Sequence, residues 1–317
     1  MSLILHSIIY IPKGGLQTKK PDNPKISWLD KLFFSELDVL IVKNYWKFTL
    51  IHQKNRGLSA ARNAGLDIMT GNAVTFLDSD DAYMPDYIEA MVSAMERENV
   101  ELVLCKRSVV RTTGRLLDAS CTVIGPRREE GLYDRKSALR ALVDGAINHG
   151  VWNKLYRRRL WSEIRFPEGH VYEDVDTAYR ILDLCENVYV MNKPLYLYRN
   201  RPGSITETRS PRHCQDWVLA RSHLEAFVKE NIPEVFTQEH LKRCRQARLN
   251  EMIGYYLKFL PGKDEKEFYD ELRQIGGIIG SENCGIRTKV CYWIIRFCPR
   301  GLRLLYQAYC FVRHRAW

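Results

Sequence analysis

Two groups of acids and one arginine carry the chemistry that this sequence could perform. Asp78-Ser79-Asp80-Asp81 places carboxylates one residue apart. Hard divalent cations take oxygen ligands, and Mg²⁺ or Mn²⁺ is commonly held by one or two carboxylates together with substrate phosphate oxygens. Asp80, with Asp78 helping, is therefore read as a metal pair. Asp81 is read as the cap of the helix that Pro85 opens, and a solvated acidic turn is the plainer account of the whole cluster. Arg62 offers a planar donor fork suited to a diphosphate. A metal, a diphosphate and a cationic fork together point to a nucleotide-linked donor. Farther along, Glu173 and Asp174 stand at a predicted helix N-terminus, where the helix field favours an ionised carboxylate. Asp174 is expected to stay charged and able to accept a proton from an attacking hydroxyl. First-turn acids that only complement the helix dipole are the alternative.

The elements that must position these groups follow from hydrophobic pattern. Residues 48–52 read as a strand, Asn55 and Gly57 as a turn, and the next stretch as a helix with Leu58, Ala61, Gly65 and Ile68 on one face, Ser59 as N-cap and Gly71 past its end. Residues 73–77 form a second strand. Strand, helix, strand at these lengths is a βαβ unit, so the two strands are expected to be parallel. In an open parallel sheet, ligands sit beyond the carboxyl ends of the strands, which is where Asp78 and Asp80 are delivered.

Several blocks then resemble one family. GLSAARNAGL followed by TFLDSDD, WNKLYRR at 152–158, FPEG and YEDVDTAYR within 166–180, and LYLYRNRPGSIT at 195–206 are similar, in order and spacing, to the family 2 glycosyltransferases. These are inverting sugar transferases of GT-A fold with a D-x-D metal motif, and the resemblance is strongest to bacterial members that build capsule, exopolysaccharide or lipopolysaccharide. It covers residues 48–206.

The resemblance implies an α/β fold of Rossmann-like type, with a mostly parallel sheet flanked by helices over residues 1–210 and a helical C-terminal region over 211–317. It implies a nucleotide-sugar donor, a UDP-sugar by preference, a saccharide or lipid-linked acceptor, and Mg²⁺ or Mn²⁺ as cofactor. Asp174 takes the role of base, with Glu173 as orienter or acceptor-hydroxyl ligand. Asn55, Gly57, Arg62, Asp78, Trp152, Lys154 and Arg201 fall among the substrate-binding residues. Trp152 is either a platform for a sugar ring or a core residue. The 199–206 loop, with Arg199, Arg201 and Ser204, is either a lid over the diphosphate or a surface loop.

Residues 1–47 depart from the family. Where members hold the nucleotide base and ribose, this chain has Lys13-Gly14-Gly15 and Lys43-Asn44-Tyr45-Trp46. Tyr45 or Trp46 could stack on a base, a contact worth about 1–3 kcal/mol in nucleic-acid complexes, or could simply cover the sheet edge. A catalytically impaired GT-A-fold binding protein with a degraded donor site is the second function class.

A chain of 317 residues with 45% hydrophobic content can build one large α/β domain with an appendage. Its net charge of +10 calls for an anionic partner. Nucleic acid is excluded for want of any reading motif. After Glu282 there is no further acid, while seven arginines and lysines are interleaved with aromatic and aliphatic residues. That composition suits either helices in an anionic membrane interface or core helices packed on the sheet domain. Nine cysteines without a C-x-x-C pair read as reduced thiols, and neither a signal peptide nor a spanning helix is predicted. The expected location is therefore cytoplasmic, with a peripheral hold on the inner membrane if those helices bind lipid.

Overall fold

The computed structural model describes residues 7–11, 51, 53–111, 121–124, 129–200, 211–234, 237, 253 and 286–297. Lys43, Tyr45, Trp46 and Arg201, together with most of residues 1–47 and 238–285, lie outside the described residues. So does the predicted strand over 48–52, apart from Ile51, which is in no strand.

The strands are β1 (Ser7–Ile11), β2 (Ala73–Leu77), β3 (Ala82–Tyr83), β4 (Leu102–Arg111), β5 (Cys121–Ile124), β6 (Gly131–Asp134), β7 (Lys154–Arg157) and β8 (Asn187–Asn200). The helices are α1 (Leu58–Ile68), α2 (Tyr87–Arg97), α3 (Arg135–Val143), α4 (Glu173–Asp183), α5 (Pro211–Asn231) and α6 (Ile286–Phe297). The strands form one sheet in the order β1-β2-β7-β4-β8-β3, with β5 alongside β4 and β6 alongside β8.

The α/β architecture is as expected, but the sheet is mixed rather than mostly parallel. Among the described residues only β4 and β8 run parallel; every other pair is antiparallel. The two described neighbours of β2 are β1 and β7, both antiparallel to it. The βαβ inference fixed a crossover length but could not say which distant segment would occupy the adjoining place.

Alternation along the strands builds a three-layer body. Leu102 and Leu104 face one core with Val74, Phe76, Tyr156, Val188 and Val190, covered by α3, α4 and α5. Val103 and Cys105 face the other, with Leu155, Tyr189 and Met191, covered by Tyr87, Met91, Ala94 and Met95 of α2. This two-residue period is what a sheet covered on both sides requires. Trp161 is fully buried and meets Phe76 edge-on at 5.2 Å. Leu224, Val228 and Ile232 belong to the same core, so residue 211 marks no break in packing.

Residues 187–200 are one strand with β4, β6 and β3 bonded to it. Pro194 pairs where the β4–β8 register shifts, and a residue without an N–H is tolerated at such an irregularity.

Candidate active site

The site begins where β2 ends. The turn at 78–81 is closed by the Asp81 N–H donating to the Asp78 carbonyl at 3.0 Å. Asp78 and Asp80 are both half-buried there. Asp81 is not the predicted cap, since α2 starts one turn later with Asp86 at its N-cap. Instead its carboxylate accepts from the Tyr196 hydroxyl at 2.6 Å and the Arg199 N–H at 2.8 Å, pinning the turn to β8. Burial pushes its pKa up to about 7 despite those two bonds.

Helix α1 brings Arg62 to the same place. Its buried residues are Ser59, Ala60, Arg62, Gly65 and Leu66; of the predicted face only Gly65 is among them, and Gly57 rather than Ser59 is its N-cap. A hydrophobicity pattern does not find Ser59 and Arg62, the two polar members of this buried face. The guanidinium donates from Nη1 to Glu173 Oε1 at 2.5 Å and from Nη2 to Asp78 Oδ1 at 3.1 Å, and lies 5.3 Å from the Phe166 ring centre. The expected open fork for a diphosphate is therefore spent within the protein, on the two acid groups themselves. Burial works against the cation, but Glu173, Asp78 and Asp174 together hold its pKa above the ordinary value.

Beside it, Asn63 clips the 166 loop to α1, donating to the Phe166 carbonyl and accepting from the Phe166 N–H, both at 2.9 Å. Sequence reasoning passed over Asn63. At the entrance to α1, Asn55 Oδ1 accepts from the Gly57 N–H at 3.0 Å, and Gly57 takes a φ of 89°, where a side chain would be strained. Both residues are exposed and shape the turn.

Glu173 and Asp174 open α4 as predicted, after Tyr172 in a left-handed conformation with φ 66°. Glu173 is buried against Arg62, whereas Asp174 keeps part of its surface open to solvent. Asp174 Oδ1 accepts from the Val175 N–H at 2.8 Å. Both pKa values are raised, mainly by burial, against the pull of Arg62. The helix field was expected to keep Asp174 charged; desolvation outweighs it and raises the pKa, which makes the ionised carboxylate a stronger proton acceptor.

Lys154, expected near a diphosphate, is buried. Its ammonium donates to Asn148 Oδ1 at 2.7 Å, Asn153 Oδ1 at 3.1 Å and the Gly150 carbonyl. Burial pushes its pKa down to about 7, opposed by Asp174. Trp152 is half-buried in an aromatic group, 4.8 Å from the ring of Tyr196 and 5.7 Å from that of Tyr198, with the Arg107 guanidinium 5.0 Å from its own ring centre. Gly150 is fixed by this packing, because a Cβ there would stand 2.5 Å from the indole Nε1. His170 Nδ1 sits 3.4 Å from Asp216 Oδ1.

No group of three or more His, Cys, Asp or Glu residues poised to hold a metal occurs among the described residues. The donor chemistry still fits a hard cation. Asp78 and Asp80 offer carboxylate oxygens at a strand end, and Mg²⁺ usually completes its shell with water and substrate phosphates.

A layered α/β body with acids at a strand end and at a facing helix start defines the GT-A class of fold. Residues 37–164 match the family model for glycosyl transferase family 2. It is similar to glycosyltransferase GlyA of Streptococcus pneumoniae, 33% identical over 194 residues that make up 60% of this chain and 27% of that one. EpsH of Bacillus subtilis, named as a glycosyltransferase, is 31% identical over 192 residues, or 58% of this chain and 54% of its own. The chain thus spans only about half or less of these two relatives. In structure it resembles TarS 1–349 of S. aureus, crystallised with UDP-GlcNAc, with a TM-score of 0.50, 16% identity, and coverage of 72% of this chain and 64% of the other.

Proposed function

We propose that this chain transfers a sugar from a nucleotide-sugar donor to a hydroxyl of a saccharide or lipid-linked saccharide, with inversion, in the synthesis of a bacterial surface polysaccharide. The observation that carries this reading is the Arg62 bridge. It holds Asp78, on the metal turn, and Glu173, the neighbour of Asp174, on one guanidinium. The two acid groups that the reaction needs thus share one site although they are about a hundred residues apart in sequence. The UDP-GlcNAc bound by TarS supports a UDP-sugar as the donor class.

The chain's residues divide the work. Asp80 and Asp78 would hold Mg²⁺ or Mn²⁺, which when bound neutralises the departing diphosphate. Asp174, partly open to solvent and raised in pKa, takes the proton of the acceptor hydroxyl as its oxygen bonds to the anomeric carbon. The bond from that carbon to the donor phosphate breaks on the opposite face, which gives inversion. Glu173 and Arg62 act by position, fixing the start of α4 against the metal turn. Trp152, half-exposed beside Tyr198, offers an aromatic face to a sugar ring.

The C-terminal region supports a peripheral hold on an anionic membrane. Along α6, Ile286, Val290, Trp293 and Phe297 form an exposed apolar stripe, with Lys289 and Arg296 on the same helix. No described helix is long and apolar enough to cross a membrane. An apolar face edged with cations suits the boundary of an anionic bilayer, where a lipid-linked acceptor would be presented.

Product analysis with Asp174→Asn tests the transfer step. With the donor that wild-type protein uses, transfer should fall about 10²–10⁴-fold, the usual weight of a positioned base, while donor affinity stays within twofold. Unchanged transfer would remove Asp174 as base. Tight donor binding by wild-type protein without any turnover would favour the binding-protein reading.

A further inference from the structure

Arg107 on β4 is an unspent cation. Its guanidinium carbon lies 5.0 Å from the ring centre of Trp152 and 5.4 Å from that of Tyr198, so two aromatic faces fix its plane. Among the described residues no carboxylate pairs with it and no acceptor takes a hydrogen bond from it, and its Nε is shut off from solvent with no partner. Asp81 acts on it electrostatically, but that carboxylate is committed to the Tyr196 hydroxyl and the Arg199 N–H. A guanidinium that no carboxylate pairs with keeps its charge for an arriving anion.

We infer that Arg107, held against Trp152 and Tyr198, is a subsite for an anionic group, carboxylate or phosphate, on the saccharide acceptor. The planar fork matches either oxyanion in two-point geometry, and rings that fix its plane lower the cost of ordering it. The neighbouring aromatic faces suit the apolar side of a sugar ring, so an acidic saccharide would meet both requirements with one contact surface. The donor's own diphosphate is allotted to the cation at Asp78 and Asp80, which leaves Arg107 for a second anion.

This assignment rests on the transfer reading, and binding rather than turnover tests it. Methyl β-D-glucuronide and methyl β-D-glucoside differ at one carbon, which bears a carboxylate in the first and a hydroxymethyl in the second. Ligand-observed NMR titrations of the full chain, with Mn²⁺-dependent UDP affinity measured on the same samples, compare wild type with Arg107→Met, whose unbranched stem still covers the rings. We expect the glucuronide to bind wild type at least fivefold more tightly than the glucoside, Arg107→Met to bind the two alike, Arg107→Lys to restore part of the preference, and UDP affinity to stay within twofold throughout. Equal binding of the two glycosides to wild type, absence of binding by both, or a preference that persists in Arg107→Met would overturn the assignment. A fivefold loss of UDP affinity in Arg107→Met would also overturn it, by giving the fork to the donor. Wild-type protein that binds no UDP would instead defeat the transfer reading, whatever the glycosides do.

Discussion

Arg62 Nη1 stands 2.5 Å from Glu173 Oε1, a contact between residues 111 positions apart that joins the first described helix to the helix opened by the acid pair. The second arm of the same guanidinium holds Asp78. Removing the cation would leave two carboxylates facing each other in a poorly solvated place. Breaking one side of a buried charge cluster typically costs about 3–5 kcal/mol. Arg62→Met should therefore lower unfolding free energy by that order in urea denaturation, and Arg62→Lys, with one compact charge for two carboxylates, should recover only part. A loss below about 1 kcal/mol in Arg62→Met would mean that the bridge does not hold the site together.

Gly150 presents a second coupling. A methyl group there would meet the Trp152 indole at 2.5 Å, and its carbonyl accepts from Lys154. Overpacking of this kind costs about 1–3 kcal/mol. Gly150→Ala should lower the melting temperature in the wild-type background and have less than half that effect in Trp152→Ala, where the obstruction is gone. Equal effects in both backgrounds would remove the steric link.

Acid stability should report His149. Burial, with Arg221 and Lys154 close by, pushes its pKa from 6.5 down to about 3, and its Nδ1 is buried without a partner. Between these values the unfolded chain binds a proton that the folded chain refuses. Its contribution is thus fully present above pH 6.5 and is lost as pH falls toward 3. Asp81, raised to about 7 by burial, changes stability in the opposite sense over much of this range, so the comparison must be between variants. The drop in melting temperature from pH 7 to pH 4.5 should be smaller in His149→Gln than in wild type; an equal drop would contradict the assignment.

Membrane attachment is open to a direct trial. Trp293 and Phe297 stack at 5.5 Å on the exposed face of α6. Replacing both with Ser should cut co-flotation with vesicles containing anionic lipid at least fivefold, and salt should weaken wild-type binding because part of the attraction is electrostatic. Wild-type protein that never floats with such vesicles would end the proposal.

Much of this arrangement was legible in the residues. The acids after Leu77 and the helix opening at Glu173 follow from periodicity, capping logic and the resemblance of ordered blocks. What escaped were choices made by tertiary contact. Arg62 looked like an exposed fork because hydrophobic pattern does not bury an arginine, and only the fold shows that its partners are the site's own acids. Asp81 looked like a cap because local sequence cannot show Tyr196 arriving from β8. The antiparallel neighbours of β2, β1 and β7, were not foreseen because a crossover length says nothing about which distant strand becomes a neighbour, and the expected parallel partner over 48–52 lies outside the described residues. Lys154, expected at the diphosphate, is locked inside by three oxygens, whereas nothing in the local pattern singled out Arg107.

Calorimetric titration of UDP into wild type, Asp80→Asn and Asp174→Asn, each with Mn²⁺ and again with a chelator, tests the central claim most directly. Two acid groups in one site with separate tasks require that wild type bind UDP only with the cation, that Asp80→Asn lose this binding, and that Asp174→Asn keep it within twofold. UDP bound equally well with chelator, or by Asp80→Asn, would contradict the account.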